Sequence, residues 1–386
     1  MQVFVKVTLT TSPLPKRLRI TTFTDGRHRS HRADRLARLR ARMREHNVAA
    51  LVVSLLSNVR YLTGFTGSHG IAGITLSDSW FLTDTRYRAQ SAREVRGFRR
   101  VITTEDLWKT IASRKLLGGC RRVAFESEAV TYAQYALFRN AVGRATLVPS
   151  RNLVEELAVV KDTEELLSIR RAVGITDQVF LEILPLLRPG VSELEIAAEI
   201  SYRQRCHGAE GDAFEPIVAS GHRGASPHAR ASAKTISSGE FVTLDFGCTV
   251  NGYCSDLTRT IGVGRIERGR REAYATVLAA QREAIDEARA GMAASDLDAV
   301  ARRRIGADGF GRFFTHSLGH GLGLRIHERP RVSRLSTEQL QVGSVITIEP
   351  GIYVSERYGV RIEDDIVLTS SGCTVLTAAP KELLIL

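Results

Sequence analysis

Cysteine is scarce in this chain and badly placed for cross-linking. There are five in 386 residues, at positions 120, 206, 248, 254 and 373, with no CxxC pair among them. An odd, scattered set argues against a disulfide framework and predicts reduced thiols in a cytoplasmic protein. Long apolar runs are also missing. None approaches the roughly 18 residues that a spanning helix needs, so no membrane partner is expected. Residues 1–33 lack the apolar core of a secretory signal. Acidic residues fall short of basic ones, 42 against 54, for a formal charge of +12. The imbalance is local. Residues 1–45 hold twelve Lys/Arg and three Asp/Glu, 12 − 3 = +9, which leaves 12 − 9 = +3 for everything after them. That basic segment has no aromatic interleaving and no nucleic-acid motif. A solvated tail over 1–33 is predicted, with no nucleic-acid partner.

The length suffices for two domains with substantial cores. From Asp34 to Asn47, Leu36, Leu39 and Met43 recur at helical spacing with arginines opposite. Strand-like runs at 48–54, 70–76, 80–83 and 123–126 then alternate with helical stretches at 108–117 and 132–142. This predicts an α/β domain over 34–150. Helical patterns follow at 153–187, broken near Thr163, and at 192–207. After Gly211 the texture changes to strand runs at 214–219, 240–248, 253–262, 345–353 and 360–368. Two helices, at 270–290 and 294–305, lie between them. Strands set apart from helices predict an α+β domain over 151–386.

The chemistry concentrates in that second half. Asp245, Asp256, Glu349 and Glu363 stand in or beside apolar strand runs, where an unpaired carboxylate is costly to bury. Asn251-Gly252 is a strong two-residue hairpin signal. With that turn, Asp245 faces Thr258, and period-two alternation puts Asp256 on the same face. Glu349 precedes Pro350-Gly351, a pair that ends or bulges a strand. His320 lies in the Gly-rich stretch Thr315–Gly323, and His327-Glu328 follows it. Each feature has an ordinary reading: an edge aspartate, a core histidine, a solvated acidic turn at Glu363-Asp364-Asp365. Jointly, one imidazole and four carboxylates form a ligand set for two hard or borderline divalent cations, which can activate a shared water for hydrolysis.

Six stretches carry a resemblance over residues 34–386. They are Tyr61–Gly67, Phe214–Gly221 with Pro227-His228, Leu244–Gly247, Gly252–Thr260, His316–Glu328, and Ile348–Tyr353 with Gly359–Asp364. In order and spacing they resemble the pita-bread-fold proline-specific metallopeptidases, the Xaa-Pro aminopeptidases and Xaa-Pro dipeptidases. The resemblance implies a creatinase-like amino-terminal domain ahead of a pita-bread catalytic domain, a homodimer, and a proline-containing peptide as substrate. Asp245 would chelate one ion, Asp256 and Glu363 would bridge both, and His320 with Glu349 would complete the second site. Mn²⁺ is expected, with Co²⁺ or Zn²⁺ as alternatives. Glu349 would also shuttle a proton while a metal-bridging hydroxide attacks the carbonyl before proline. His228, His316 and His327 match the outer histidines that hold substrate and stabilise the tetrahedral intermediate. Arg361 matches an arginine in the ring around the ligands. Arg331 matches an arginine that receives the substrate carboxylate in dipeptidases, which favours a dipeptidase over an aminopeptidase acting on longer peptides. Departures are few: Ser317 stands where relatives often have Gly, and His222-Arg223-Gly224 replaces a Pro-Asn-Ser type of stretch. Methionine aminopeptidases share the ligand types but usually lack a domain like 34–150. Non-catalytic binding members of the fold have typically lost ligands, and this chain has lost none.

Overall fold

The computed structural model describes residues 26–386. The predicted tail over 1–33 lies outside the described residues, except that helix α1 (Gly26–Glu45) begins ahead of the predicted Asp34. After α1 come β1 (Ala50–Val53), α2 (Leu56–Thr63), β2 (Ile71–Thr75) and β3 (Ser79–Asp84). Next are α3 (Arg88–Glu94), β4 (Arg99–Thr103), α4 (Leu107–Ser113), β5 (Arg122–Glu126), α5 (Tyr132–Ala141) and β6 (Thr146–Ser150). The strands form one six-stranded sheet in the order β4-β3-β2-β1-β5-β6. β1, β5 and β6 run parallel, and β2 lies antiparallel between β1 and β3.

Alternation along β1 explains why helices cover both faces. Leu51 and Val53 pack with Leu36, Leu39 and Met43 of α1, whereas Ala50 and Val52 pack with Trp108 and Ile111 of α4 and Phe138 of α5. A strand apolar at successive positions is buried on both sides. Leu39 and Met43 are fully buried, which stabilises the α1 contact by about 1.5–3 kcal/mol per side chain.

The second unit starts with α6 (Glu155–Ala158), α7 (Thr163–Ile183) and α8 (Glu193–Cys206). Asp162 and Ser192 cap α7 and α8 through reciprocal capping boxes with Glu165 and Glu195. Strands β7 (Gly211–Asp212), β8 (Ile217–Ser220), β9 (Glu240–Phe246), β10 (Cys248–Val250), β11 (Tyr253–Cys254) and β12 (Leu257–Val263) follow. Helices α9 (Arg268–Glu287) and α10 (Ala294–Ala307) lead to β13 (Gly319–Gly321) and β14 (Glu328–Val332). The chain ends through β15 (Val345–Ile348), β16 (Gly351–Val354), β17 (Tyr358–Arg361), β18 (Asp364–Leu368) and β19 (Cys373–Val375).

Two helix pairs cover two sheets. α7 and α8 pack Val179, Phe180, Ile196 and Ile200 against Val242, Leu244 and Phe246 of β9 and against β12. α9 and α10 pack Val277, Ala280, Leu297 and Ala301 against Ile346, Ile348 and Ile366. Side chains one residue out of phase with these apolar sets point the other way, into the space between the sheets. Asp245, Thr347 and Asp365 are such residues.

The two units are joined by charge. Arg35 of α1 donates to the Tyr61 carbonyl and to Asp162, and Glu165 accepts the buried Tyr253 hydroxyl at 2.8 Å. This tie sets α2 beside the second unit, and Asn58, Tyr61 and Glu155 help to line a cleft of about 1000 Å³. Among the described residues no helix is long and apolar enough to cross a membrane.

Candidate metal centre and substrate cleft

The predicted hairpin forms. Asn251 (φ 50°) and Gly252 (φ 76°) make its turn, and β9 pairs with β12 so that Asp245 faces Thr258. Asp256 sits in the break between β11 and β12, where its amide donates to Asp365 Oδ2 at 3.0 Å. The break at Glu349-Pro350 is also present, between β15 and β16. The second hairpin is divided between sheets: β15 pairs with β18, and β16 pairs with β17.

His320 comes from β13, a strand pressed between β14 and β15. A Cβ on Gly319 would lie 2.0 Å from the Thr347 carbonyl oxygen, and one on Gly321 would lie 2.0 Å from that of Arg329. Backbone cannot yield at that distance, so glycine on both sides of His320 is a packing requirement. His320 Nδ1 lies 3.0 Å from the Gly321 carbonyl oxygen. A carbonyl only accepts, so Nδ1 carries the proton and Nε2 keeps its lone pair.

That lone pair faces carboxylates. Nε2 is 3.4 Å from Glu349 Oε1 and 3.7 Å from Asp256 Oδ2. One ligand atom each from Asp256, His320 and Glu363 lies within 4.8 Å of the others. Asp245 lines the same cleft: its Oδ2 accepts from Arg361 at 2.5 Å, and its Oδ1 is buried without a partner. Glu363 Oε2 accepts from Thr258 Oγ1 at 2.6 Å, while its Oε1 is likewise orphaned.

Electrostatics tell the same story. Burial, then the nearby carboxylates of Glu363 and Asp245, push the Asp256 carboxyl well above its ordinary range. Burial, then Glu349 and Asp245, do the same to Glu363. Burial lifts Glu349 to about 8. Burial lowers His320 to about 4, so its imidazole is neutral at pH 7. A neutral imidazole lone pair, two orphaned carboxylate oxygens and mutually repelling acids are groups that a cation held among them would satisfy. The donor set, oxygens plus one imidazole, fits divalent Mn, Co or Zn.

The outer residues surround this group. Arg361 is buried, donating to Thr258 Oγ1, to Tyr353 Oη at 2.7 Å and to the Pro227 carbonyl at 3.3 Å. Tyr353 Oη lies 2.9 Å from His316 Nε2, and His316 Nδ1 lies 2.8 Å from the Ser317 carbonyl. Both nitrogens of His316 are thus engaged within the protein. Burial lowers that histidine to about 3. The His327 ring stacks edge-on to His320 with centroids 4.3 Å apart. His228, His316, His327, Glu349, Arg361 and Arg331 all line the cleft.

Three further groups escaped the sequence reading. Asp365 is fully buried with its Oδ1 orphaned. Thr258 links Arg361 to Glu363, and Tyr353 links Arg361 to His316. The solvated acidic turn weighed for 363–365 does not occur, since all three acids are buried. Asp364 points away from the cleft toward α9, where Arg259, Gln281 and Lys381 pair with it at 2.6–2.8 Å. Cys248 and Cys254, which flank the acids, are packed thiols that burial pushes up to about 11 and about 12.

Comparison with known proteins agrees with this geometry. Residues 168–370 match the model of metallopeptidase family M24, and residues 35–160 match that of the creatinase/prolidase N-terminal domain. An uncharacterized peptidase of Bacillus subtilis is 42% identical over 91% of this chain and 100% of its own length. The structure of an Xaa-Pro dipeptidase from Bacillus anthracis superposes with a TM-score of 0.90 at 39% identity, covering 92% of this chain and 100% of that one. That of an X-Pro aminopeptidase from Thermotoga maritima gives 0.82 at 36% identity, covering 88% and 98%.

Proposed function

The chain belongs to metallopeptidase family M24, with a creatinase-type α/β domain ahead of a pita-bread catalytic domain, and on that premise we propose that it hydrolyses the Xaa-Pro bond of dipeptides or short peptides. Asp245, Asp256, His320, Glu349 and Glu363 would hold two divalent cations, with Mn²⁺ favoured by the oxygen-rich set. Bound cations supply a Lewis acid for the scissile carbonyl and an acidified water as the nucleophile.

The protein's own groups do the rest. His228 and His327, both lining the cleft, donate hydrogen bonds to the oxygen that gains charge at the scissile carbon. His316, with both nitrogens engaged, acts through Tyr353 to fix Arg361, which in turn orients Asp245. Glu349 carries a proton from the attacking water to the prolyl nitrogen on its carboxylate. A tertiary amide has no N–H to offer a general peptidase, so a site that takes it must be shaped to the ring.

Arg331 bears on substrate length. Its Nε bonds the Ser317 hydroxyl at 3.2 Å, and no carboxylate pairs with its guanidinium among the described residues. An arginine lining the cleft with donors to spare can fork onto the free carboxylate that follows proline. The likeness to the Bacillus anthracis dipeptidase supports this reading. The cleft volume, at the upper end for small-ligand pockets, keeps an Xaa-Pro aminopeptidase as the second reading.

The observation that carries the proposal is the His320 lone pair set against Glu349 and Asp256, with orphaned oxygens of Asp245 and Glu363 in the same cleft. Assay of the manganese-loaded protein on Leu-Pro, Leu-Pro-Pro and a Met-Ala peptide tests it. Leu-Pro is expected to turn over fastest. Preference for Leu-Pro-Pro selects the aminopeptidase, and preference for Met-Ala rejects proline specificity. Arg331→Ala is expected to raise KM for Leu-Pro about tenfold or more, as loss of a charge-assisted pair would, with little change for Leu-Pro-Pro. Equal loss on both peptides contradicts the carboxylate clamp.

A further inference from the structure

His228 differs from the other outer histidines. His316 is held through both ring nitrogens, and His327 is packed against His320. His228 is exposed on the cleft lip, and among the described residues its ring makes no hydrogen bond to protein. With no side-chain hydrogen bond of its own, it depends for its position on the backbone of the segment from Ser220 to Ser232.

That backbone is gathered by one carboxylate. Glu193, the first residue of α8, is 0% exposed. Its Oε1 accepts from Ser220 N at 2.7 Å and Ser220 Oγ at 2.9 Å. Its Oε2 accepts from Arg223 Nε at 2.9 Å, Ser232 N at 3.1 Å and Ser232 Oγ at 2.7 Å. One carboxylate thus ties together both ends of the segment with His228 near its middle. Arg223 adds the cross-strut. While its Nε holds Glu193, its Nη2 donates to the Arg230 carbonyl, two residues past His228. On the near side Arg361 holds the Pro227 carbonyl. The arginine at position 223, one of the departures noted in the sequence, therefore closes a loop around His228.

We propose that Arg223 and Glu193 are positioning residues that place His228 over the scissile carbonyl. The inference rests on the proposed role of His228 in peptide hydrolysis. Five donors on a buried carboxylate exceed what one helix terminus needs, and they converge on the segment whose functional side chain has no other support. Misplacing such a group by about 1 Å costs on the order of a hundredfold in rate.

Arg223 is half-buried and can be truncated without emptying the core. The experiment compares Arg223→Ala, His228→Ala and the double variant, as manganese-loaded protein on Leu-Pro, with metal content and thermal midpoint recorded. Arg223→Ala is expected to lower kcat about tenfold or more, with KM within about twofold and metal content unchanged. In the His228→Ala background the same change is expected to cost nothing further. Losses that multiply overturn the clasp, and a fully active His228→Ala overturns the role of His228 and the clasp with it. A substrate-free arm separates the two. Amide exchange over residues 224–230 is expected to quicken in Arg223→Ala while the β9 and β12 amides stay protected. Unchanged exchange overturns the clasp whatever the peptide specificity proves to be.

Discussion

The carboxylates of Glu126 and Glu363 are both buried, and they are held in opposite ways. Glu126, at the end of β5, accepts from the Ser54 and Leu55 amides at 2.7 Å each and from Asn58 at 2.7 Å. Those amides open α2, so the acid sits at a helix N-terminus with its oxygens satisfied. Glu363 has one oxygen on Thr258, none on the other, and Glu349 and Asp245 close enough to raise its pKa further. Burial of an acid is common to both regions. What marks the catalytic half is the orphaned oxygen, a local cost that folding alone does not explain.

The contrast breaks if substitutions at the two sites behave alike. Glu363→Gln is expected to cost about three orders of magnitude in hydrolysis, since several kcal/mol of Lewis-acid stabilisation are lost with the metal. The metal-free variant should melt no lower than the metal-free parent, because the substitution removes a repelling charge. Glu126→Ala should do the reverse. It strands the Ser54 and Leu55 amides and takes one of the two carboxylate acceptors from Asn58, lowering stability by about 3 kcal/mol, read by denaturant unfolding, while residual folded protein keeps its metal.

Chelation sharpens the comparison through pH. The carboxyls of Asp256, Glu349 and Glu363 are raised in the folded, metal-free state. Raised folded values mean that the native state binds more protons than the unfolded one. Stability is therefore full below the unfolded carboxylate range and lost as pH rises through the folded values. For Glu349 that window runs from the ordinary glutamate value of 4.5 to about 8. Metal-free protein is expected to show a falling thermal midpoint across this window. Refilling with Mn²⁺ should abolish the fall, adding about 2.7 kcal/mol at a hundredfold excess over Kd. An equally steep fall with metal bound would mean that the cations do not sit among these acids.

The smallest expected effect is at Tyr353. Tyr353→Phe removes the acceptor for Arg361 and the donor to His316 Nε2 while leaving the ligands in place. A fall of about tenfold in kcat at constant metal content is predicted, as for other outer-shell partners. Loss of metal would place Tyr353 among the groups that shape the ligand set itself.

Much of this site was legible in the chain. Asn251-Gly252 set a register that brings Asp245 opposite Thr258. Ligand atoms of Asp256, His320 and Glu363 lie within 4.8 Å of one another, Glu349 lies beside His320, and Asp245 lines the same cleft. Less was legible where tertiary pairing decides. β4 and β6 are short, partly exposed strands, each with only one adjacent aliphatic pair, Val101-Ile102 and Leu147-Val148, to announce it, and α2 and α3 are too short for a strong helical period. β13 and β14 lay hidden in a Gly-rich stretch and around a proline, because their pairing depends on backbone squeezed beside Thr347. Asp364 and Asp365 are adjacent acids with opposite fates: alternation on β18 sends the first to Arg259 and the second toward Asp256. The sequence shows two charges there, and only the neighbouring sheet and helix show which one is paired.

Anomalous scattering from crystals grown with excess Mn²⁺ tests the central claim most directly. Two manganese peaks are predicted, lying among the oxygens of Asp245, Asp256, Glu349 and Glu363, with His320 Nε2 contacting one of them. An absence of peaks among these five side chains, or manganese bound only elsewhere, would contradict the account.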